Sequence, residues 1–220
     1  MKGYIKMKKV VLIGDSIRMG YDKYVKEALE GVAEVYYPSE NCRFAQYVLR
    51  FAHDWKEKGS WPDDVDLVHW NAGLWDAIEL FGDEPITTIS YYSQVILRIY
   101  KRLRMLFQNA KIVFATSTAV DEDRCGPYFK RHNNIIEEFN KAAIDALSGT
   151  DTIINDLYSV TANAPLSYHS DFVHYYTDEG TELIGGAVLS VICNELDIAA
   201  SEVNIENFDP EHYTKENIGG

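Results

Sequence analysis

The sequence predicts an α/β protein, a single-domain three-layer α/β/α sandwich built on a flavodoxin-like, five-stranded parallel sheet. Three observations predict it. Short apolar runs rich in Val and Ile alternate along the chain with longer segments whose apolar residues recur at helical spacing, the signature of repeated βαβ units. Gly, Pro or a capping residue marks most of the transitions, as expected where a helix starts or stops. The 220 residues, 46% of them apolar, suffice for one ordinary domain with a sizeable core and leave little room for a second.

Each element has its own local reason. Lys9 to Gly14 reads as the first strand, because Val10-Val11-Leu12-Ile13 runs unbroken until Gly14-Asp15 ends it. Tyr21 to Glu30 carries helical spacing and stops at Gly31, a natural C-cap. Val32 to Tyr37 is a short second strand. Phe44 to Lys58 is the next helix, closed by Gly59, Ser60 and Pro62. Val65 to Asn71 forms the third strand, and the irregular stretch Ala72 to Pro85 behind it is long enough to be functional. Thr87 or Thr88 caps a helix through Leu106, on which Ile89, Tyr92, Val95, Ile96, Ile99 and Leu103 repeat at helical intervals. Lys111 to Thr116 is the fourth strand; after a polar loop come a helix from His132 to Leu147, a fifth strand from Thr152 to Leu157, and a last helix from Thr177 to Leu196. The domain thus spans 1–196. Residues 197–220 form an acidic, polar C-terminal tail that packs on the domain or frays.

Composition narrows the function. The 34 acidic residues against 21 basic ones leave a net charge of −13, which repels nucleic acid and anionic membrane over most of the surface. Neither is expected as a partner. Cys42, Cys125 and Cys193 are an odd, scattered set without zinc or disulfide spacing, which suits a reduced cytoplasm, the expected location. The charged start from Met1 to Lys9 is followed by only four apolar residues, Val10 to Ile13, too few for a signal-peptide core or a membrane span. No metal or cofactor is implied, and the oligomeric state is left open.

The chemistry gathers at the two ends of the chain. Gly14-Asp15-Ser16-Ile17 delivers a serine to the carboxyl end of the first strand, where ligands bind in a doubly wound sheet. A serine hydroxyl needs a base to take its proton, and the base needs a partner to orient it. Ser170-Asp171-Phe172-Val173-His174 offers both, with the aspartate three residues before the histidine. Asn71, at the end of a neighbouring strand, and the backbone N–H of Ser16 at a helix start are candidate oxyanion donors. Taken alone, Asp15-Ser16 is more simply a helix N-cap, and a lone Asp-x-x-His is weak. Their conjunction carries the argument.

These blocks resemble the SGNH/GDSL hydrolase superfamily. Gly14-Asp15-Ser16-Ile17 matches its first block with Ile17 in place of Leu, and Asp171-Phe172-Val173-His174 its last, followed by Thr177-Asp178-Glu179-Gly180, a continuation common in the family. The resemblance implies the SGNH hydrolase fold, with Ser16 as nucleophile, His174 as general base and Asp171 as its partner. The second block usually supplies a backbone N–H from a glycine, but Glu40-Asn41-Cys42-Arg43-Phe44 contains none, so Cys42 or Arg43 is the candidate. The third block usually reads Gly-x-Asn-Asp; here His69-Trp70-Asn71-Ala72 keeps only the asparagine, which suggests a distinct branch. The activity implied is that of a GDSL-type esterase or acylhydrolase on short-chain carboxylic esters, including O-acetyl groups of a carbohydrate.

Arg18 and Arg43 lie close to these positions in sequence and are candidates to orient an anionic or hydroxyl-rich substrate; surface salt bridges are the plainer alternative. Trp70, Trp75 and Tyr175 are candidates for an aromatic wall, against simple packing for Trp70 at least. His69 reads as a hydrogen-bonded core residue and His169 as a solvated loop residue; Asp121, Glu122 and Asp123 read as a solvated loop face. Two other function classes compete. One is a catalytically degenerate hydrolase that binds glycan without cleaving it; the other is a flavodoxin-like phosphate-binding module, for which the Gly14 turn lacks a glycine-rich loop.

Overall fold

The computed structural model describes residues 7–205. In chain order its main elements are β1 (Lys8–Ile13), α1 (Ser16–Ala28), β2 (Ala33–Tyr36), α2 (Ala45–Lys58), β3 (Leu67–Trp70), β4 (Glu79–Leu80), α3 (Ile89–Leu106), β5 (Lys111–Ala115), β6 (Phe129–Lys130), α4 (Asn133–Leu147), β7 (Ile153–Asn155), α5 (Leu157–Thr161) and α6 (Asp178–Leu196). Five of the strands form one sheet in the order β2-β1-β3-β5-β7, parallel throughout. Helix α1 packs on α6, while α2, α3 and α4 form a second row. This is the three-layer α/β/α sandwich expected.

The central strands are buried on both faces, which is why they read as continuous apolar runs. Val10, Val11, Leu12 and Ile13 are wholly inaccessible, as are Leu67, Val68 and Trp70, and each such side chain contributes about 1.5–3 kcal/mol of burial. Trp70 packs edge-on against Phe114 of β5 with ring centres 4.8 Å apart. His69 is a core residue, as expected. Its Nε2 accepts from Asn155 Nδ2 at 3.1 Å and its ring meets the edge of Tyr21.

Several boundaries differ from expectation. Helix α1 begins at Ser16 rather than Tyr21, because Asp15 accepts from the Ile17 N–H at 3.0 Å and caps it; Met19-Gly20 had hidden that first turn. The fifth strand stops at Asn155, where Asp156 caps the short helix α5 instead. The irregular stretch after Asn71 and the polar loop after β5 each contribute one two-residue strand, β4 and β6, paired antiparallel. Strands so short leave no periodicity to read. The tail begins with Asp197 in a left-handed conformation, φ 53°, after which Ser201 N–H donates to Ala28 O at 2.7 Å and Ile198 and Val203 pack on the core. The rest of the tail and Met1 to Lys6 lie outside the described residues.

Candidate active site

The site is assembled at the carboxyl ends of β1 and β3 by three connecting segments. Strand β1 ends in Gly14, where a Cβ would overlap Asn71 Oδ1 and crowd Arg18; the missing side chain lets Asn71 lie beside the turn. Asp15 follows, fully buried, with one carboxylate oxygen receiving both the Ile17 N–H and Asn71 Nδ2, each at 3.0 Å. A helix cap and the orientation of Asn71 therefore depend on one oxygen. Burial pushes the Asp15 carboxyl up from its ordinary range, and these two hydrogen bonds oppose that. Ser16 comes next, as the first residue of α1, with a backbone N–H that has no acceptor within the helix.

The structure brings Ser16, His174 and Asp171 together. Ser16 Oγ lies 2.8 Å from His174 Nε2, and His174 Nδ1 lies 2.6 Å from Asp171 Oδ2. The other Asp171 oxygen accepts from the backbone N–H groups of Val173 and His174 at 2.7 and 2.8 Å. Burial works against the charge on Asp171, but the His174 side chain and these amides outweigh it and bring the carboxyl down to about 2. It is ionised at neutral pH. Thr177 Oγ1 caps α6 through the Gly180 N–H at 3.0 Å, which fixes the end of this loop.

Comparisons with known proteins add to this geometry. The chain superposes on a lipase/acylhydrolase from Enterococcus faecalis with a TM-score of 0.66 at 19% identity, covering 90% of this chain and 100% of that one. An acetyl xylan esterase gives 0.64 at 17% identity, over 84% and 99% of the two chains. A GDSL-like lipase from Bacteroides thetaiotaomicron gives 0.60 at 18%, over 88% and 92%. The chain has the SGNH/GDSL hydrolase fold. No family model matches the sequence, and no curated protein is significantly similar to it; at the identities quoted, the likeness speaks for the fold.

Within this SGNH fold, four sequence-level expectations need correction. The Cys42 N–H donates to Gly14 O at 3.1 Å and the Arg43 N–H to Asn41 Oδ1 at 2.8 Å, so neither amide is free for an oxyanion. Arg43 does adopt φ 49°, a conformation that favours glycine, and its guanidinium lies over the Tyr47 ring. Arg18 is buried and does not face a substrate. It pairs with Asp22 and donates to Pro38 O and Glu40 O, bracing the segment that leads to Cys42. Tyr175 is likewise buried, its hydroxyl donating to Ala119 O at 3.0 Å, and Trp70 belongs to the core. Trp75 remains half-buried in the loop after Asn71. His169 is buried against Tyr175 rather than solvated.

Three residues that the sequence reading missed complete the surroundings. Tyr176 stacks on the His174 ring at 4.7 Å and donates its hydroxyl to Ser16 O at 2.6 Å, clamping His174 and Ser16 together. Gly20 makes this possible, since a Cβ there would lie 2.6 Å from the Tyr176 ring. Arg131, only 4% exposed, donates from Nε to Leu74 O at 2.7 Å and lies over Phe172, joining the loop after Asn71 to the loop of Asp171. Asp76 accepts from the Ala45 N–H at 2.9 Å, fixing the start of α2. A tyrosine two residues after the histidine was the only hint of the first; nothing in the sequence pairs Arg131 or Asp76 with its partner.

Proposed function

We propose that this protein is a serine ester hydrolase that works through an acyl-enzyme on short-chain carboxylic esters. The observation that carries the reading is the hydrogen-bonded chain Ser16–His174–Asp171, 2.8 and 2.6 Å long. Ser16 Oγ attacks the ester carbonyl as His174 Nε2 takes its proton. Asp171 holds the imidazole by Nδ1 and stabilises the imidazolium that forms. The oxyanion is met by the Ser16 N–H and by the N–H of Asn71 Nδ2 that is not given to Asp15. His174 then returns the proton to the leaving alcohol, and a water activated by the same base releases the acid. The scheme calls for no metal or cofactor.

O-acetyl groups on a carbohydrate are the favoured esters. The likeness to an acetyl xylan esterase supports this, as do the carboxylates Glu79, Asp83 and Glu84 beyond Asn71, where a lipase needs an apolar lid. The charge of −13 disfavours nucleic acid and anionic membrane as partners. Among the described residues no helix is long and apolar enough to cross a membrane.

One observation favours a second reading, a degenerate hydrolase that binds glycan without cleaving it. With the Cys42 and Arg43 amides both occupied, the oxyanion has two donors rather than three. A fluorophosphonate probe separates the readings. Covalent labelling of the wild type, lost in a folded Ser16→Ala variant, is expected for the esterase; an unlabelled wild type overturns it.

A further inference from the structure

Two of the largest apolar side chains on the surface lie against each other, one on the loop after β3 and one on the loop after β5. Phe81 is 79% and Tyr128 63% exposed, and their rings lie 5.3 Å apart, tilted by 32°. Each stands on a tight turn of the β4–β6 pair. The Phe81 turn is closed by Asp83 N–H to Leu80 O at 3.0 Å and runs through φ 56° at Phe81 and 76° at Gly82. Tyr128 sits inside the Gly126–Phe129 bridge after Pro127, and the two turns are joined by Phe81 N–H to Tyr128 O at 2.9 Å. A left-handed conformation is costly for a bulky residue. The tight turn imposes it on Phe81, whose ring stays exposed.

The platform is tied to the catalytic loop. Phe129, next to Tyr128, meets the edge of Phe172 at 5.7 Å, and Phe172 directly follows Asp171. The Arg131 guanidinium lies over both rings, at 5.0 and 5.9 Å. Carboxylates flank the exposed pair along the chain, Asp83 and Glu84 just after Phe81 and Glu122 and Asp123 in the loop before Tyr128, all at the surface, and they disfavour an anionic lipid headgroup or polyanion. Carboxylates accept hydrogen bonds from hydroxyls, while an aromatic face takes an apolar ring face. A neutral sugar ring presents both, with hydroxyls at its rim and C–H groups on its face.

We propose that Phe81 and Tyr128 form a stacking platform for a neutral glycan, a subsite that holds the sugar chain of an acetylated carbohydrate while Ser16 meets its ester. This rests on the esterase reading above.

The test compares wild type, Phe81→Ala, Tyr128→Ala and the double variant on p-nitrophenyl acetate and on an acetylated β-1,4-linked oligosaccharide. The double variant is expected to raise KM for the oligosaccharide roughly tenfold and to leave p-nitrophenyl acetate within about twofold of wild type. Phe81→Trp should restore oligosaccharide KM. Unchanged oligosaccharide kinetics, or equal losses on both substrates, overturn the platform. So does a KM increase confined to long-chain p-nitrophenyl esters, which assigns the rings to an acyl chain. Calorimetry with the unacetylated oligosaccharide keeps the two ideas apart. A wild type inactive on every ester but binding this probe through Phe81 and Tyr128 loses the esterase reading alone, whereas an active wild type that neither binds nor cleaves oligosaccharide loses the platform alone.

Discussion

Asn71 is the residue whose removal best separates catalysis from packing. One of its Nδ2 hydrogens is committed to Asp15 at 3.0 Å, and the proposed esterase scheme gives the other to the developing oxyanion, which puts its worth in the transition state. Asn71→Ala is expected to lower kcat by on the order of 10²-fold with KM little changed, measured on one activated ester with circular dichroism to confirm folding. A raised KM at constant kcat would place the oxyanion hole elsewhere. Asp171→Asn removes the charge that stabilises the imidazolium, and kcat should fall by up to about 10⁴-fold, chiefly in acylation; a wild-type rate in pre-steady-state measurements at neutral pH would make Asp171 structural. Because the Asp171 carboxyl is held down at about 2, below its value in an unfolded chain, its contribution to stability is present above about pH 4 and disappears only as pH falls through 2. At this scale Ser16, Asp171, His174 and Asn71 were legible as candidates because each stands in a short local motif. Arg18 and Tyr175 misled because nothing local tells which way a side chain turns.

Helix α2 shows how an element can depend on a residue far away in sequence. Its own N-cap position is Phe44, which makes no side-chain capping bond, and the cap is supplied by Asp76 through the Ala45 N–H. Asp76 is buried, and burial pushes its carboxyl up to about 7. The unfolded chain releases this proton near pH 4, so the folded state binds more protons between about 4 and 7 and stability falls as pH rises across that window. Asp76→Asn retains an acceptor for Ala45 and removes the titration; urea denaturation at pH 5 and pH 8 should show a flatter dependence than in wild type. Asp76→Ala loses the acceptor and should cost about 1–2 kcal/mol. An unchanged wild-type pH slope in Asp76→Asn would show that the carboxyl titrates normally. The helix itself was legible from its apolar spacing. Its cap was not, because the acceptor lies 31 residues downstream.

For the whole molecule, a buried histidine in the central strand bears on the response to acid. His69 sits in β3 with no exposure, bound to Asn155 of β7 and touching Tyr21 of α1, and burial lowers its pKa to about 3. The unfolded chain takes up this proton near 6.5. The contribution of neutral His69 is therefore complete above that value and is lost as pH falls toward 3. His69→Gln keeps a polar side chain and cannot titrate, so its unfolding free energy should vary less between pH 6 and 4 than that of wild type; equal slopes would assign acid unfolding to other groups. The expectation that His69 is a core residue came from its alternation along an apolar strand and agrees with the fold.

The sequence by itself determined the α/β class, the five-stranded parallel sheet and the short motifs at its carboxyl ends, because these arise from periodicity, turn chemistry and neighbours within a few residues. Tertiary structure alone decided the β4–β6 pair, the Tyr176 clamp on Ser16 and His174, the occupied amide of Cys42, and the burial of Arg18 and Arg131. Each of these pairs groups tens of residues apart or depends on which face of a loop meets the core, and local propensity is blind to both. A hydrogen-bond donor counts for catalysis only if no nearer acceptor takes it, and only the folded chain shows which acceptors are near.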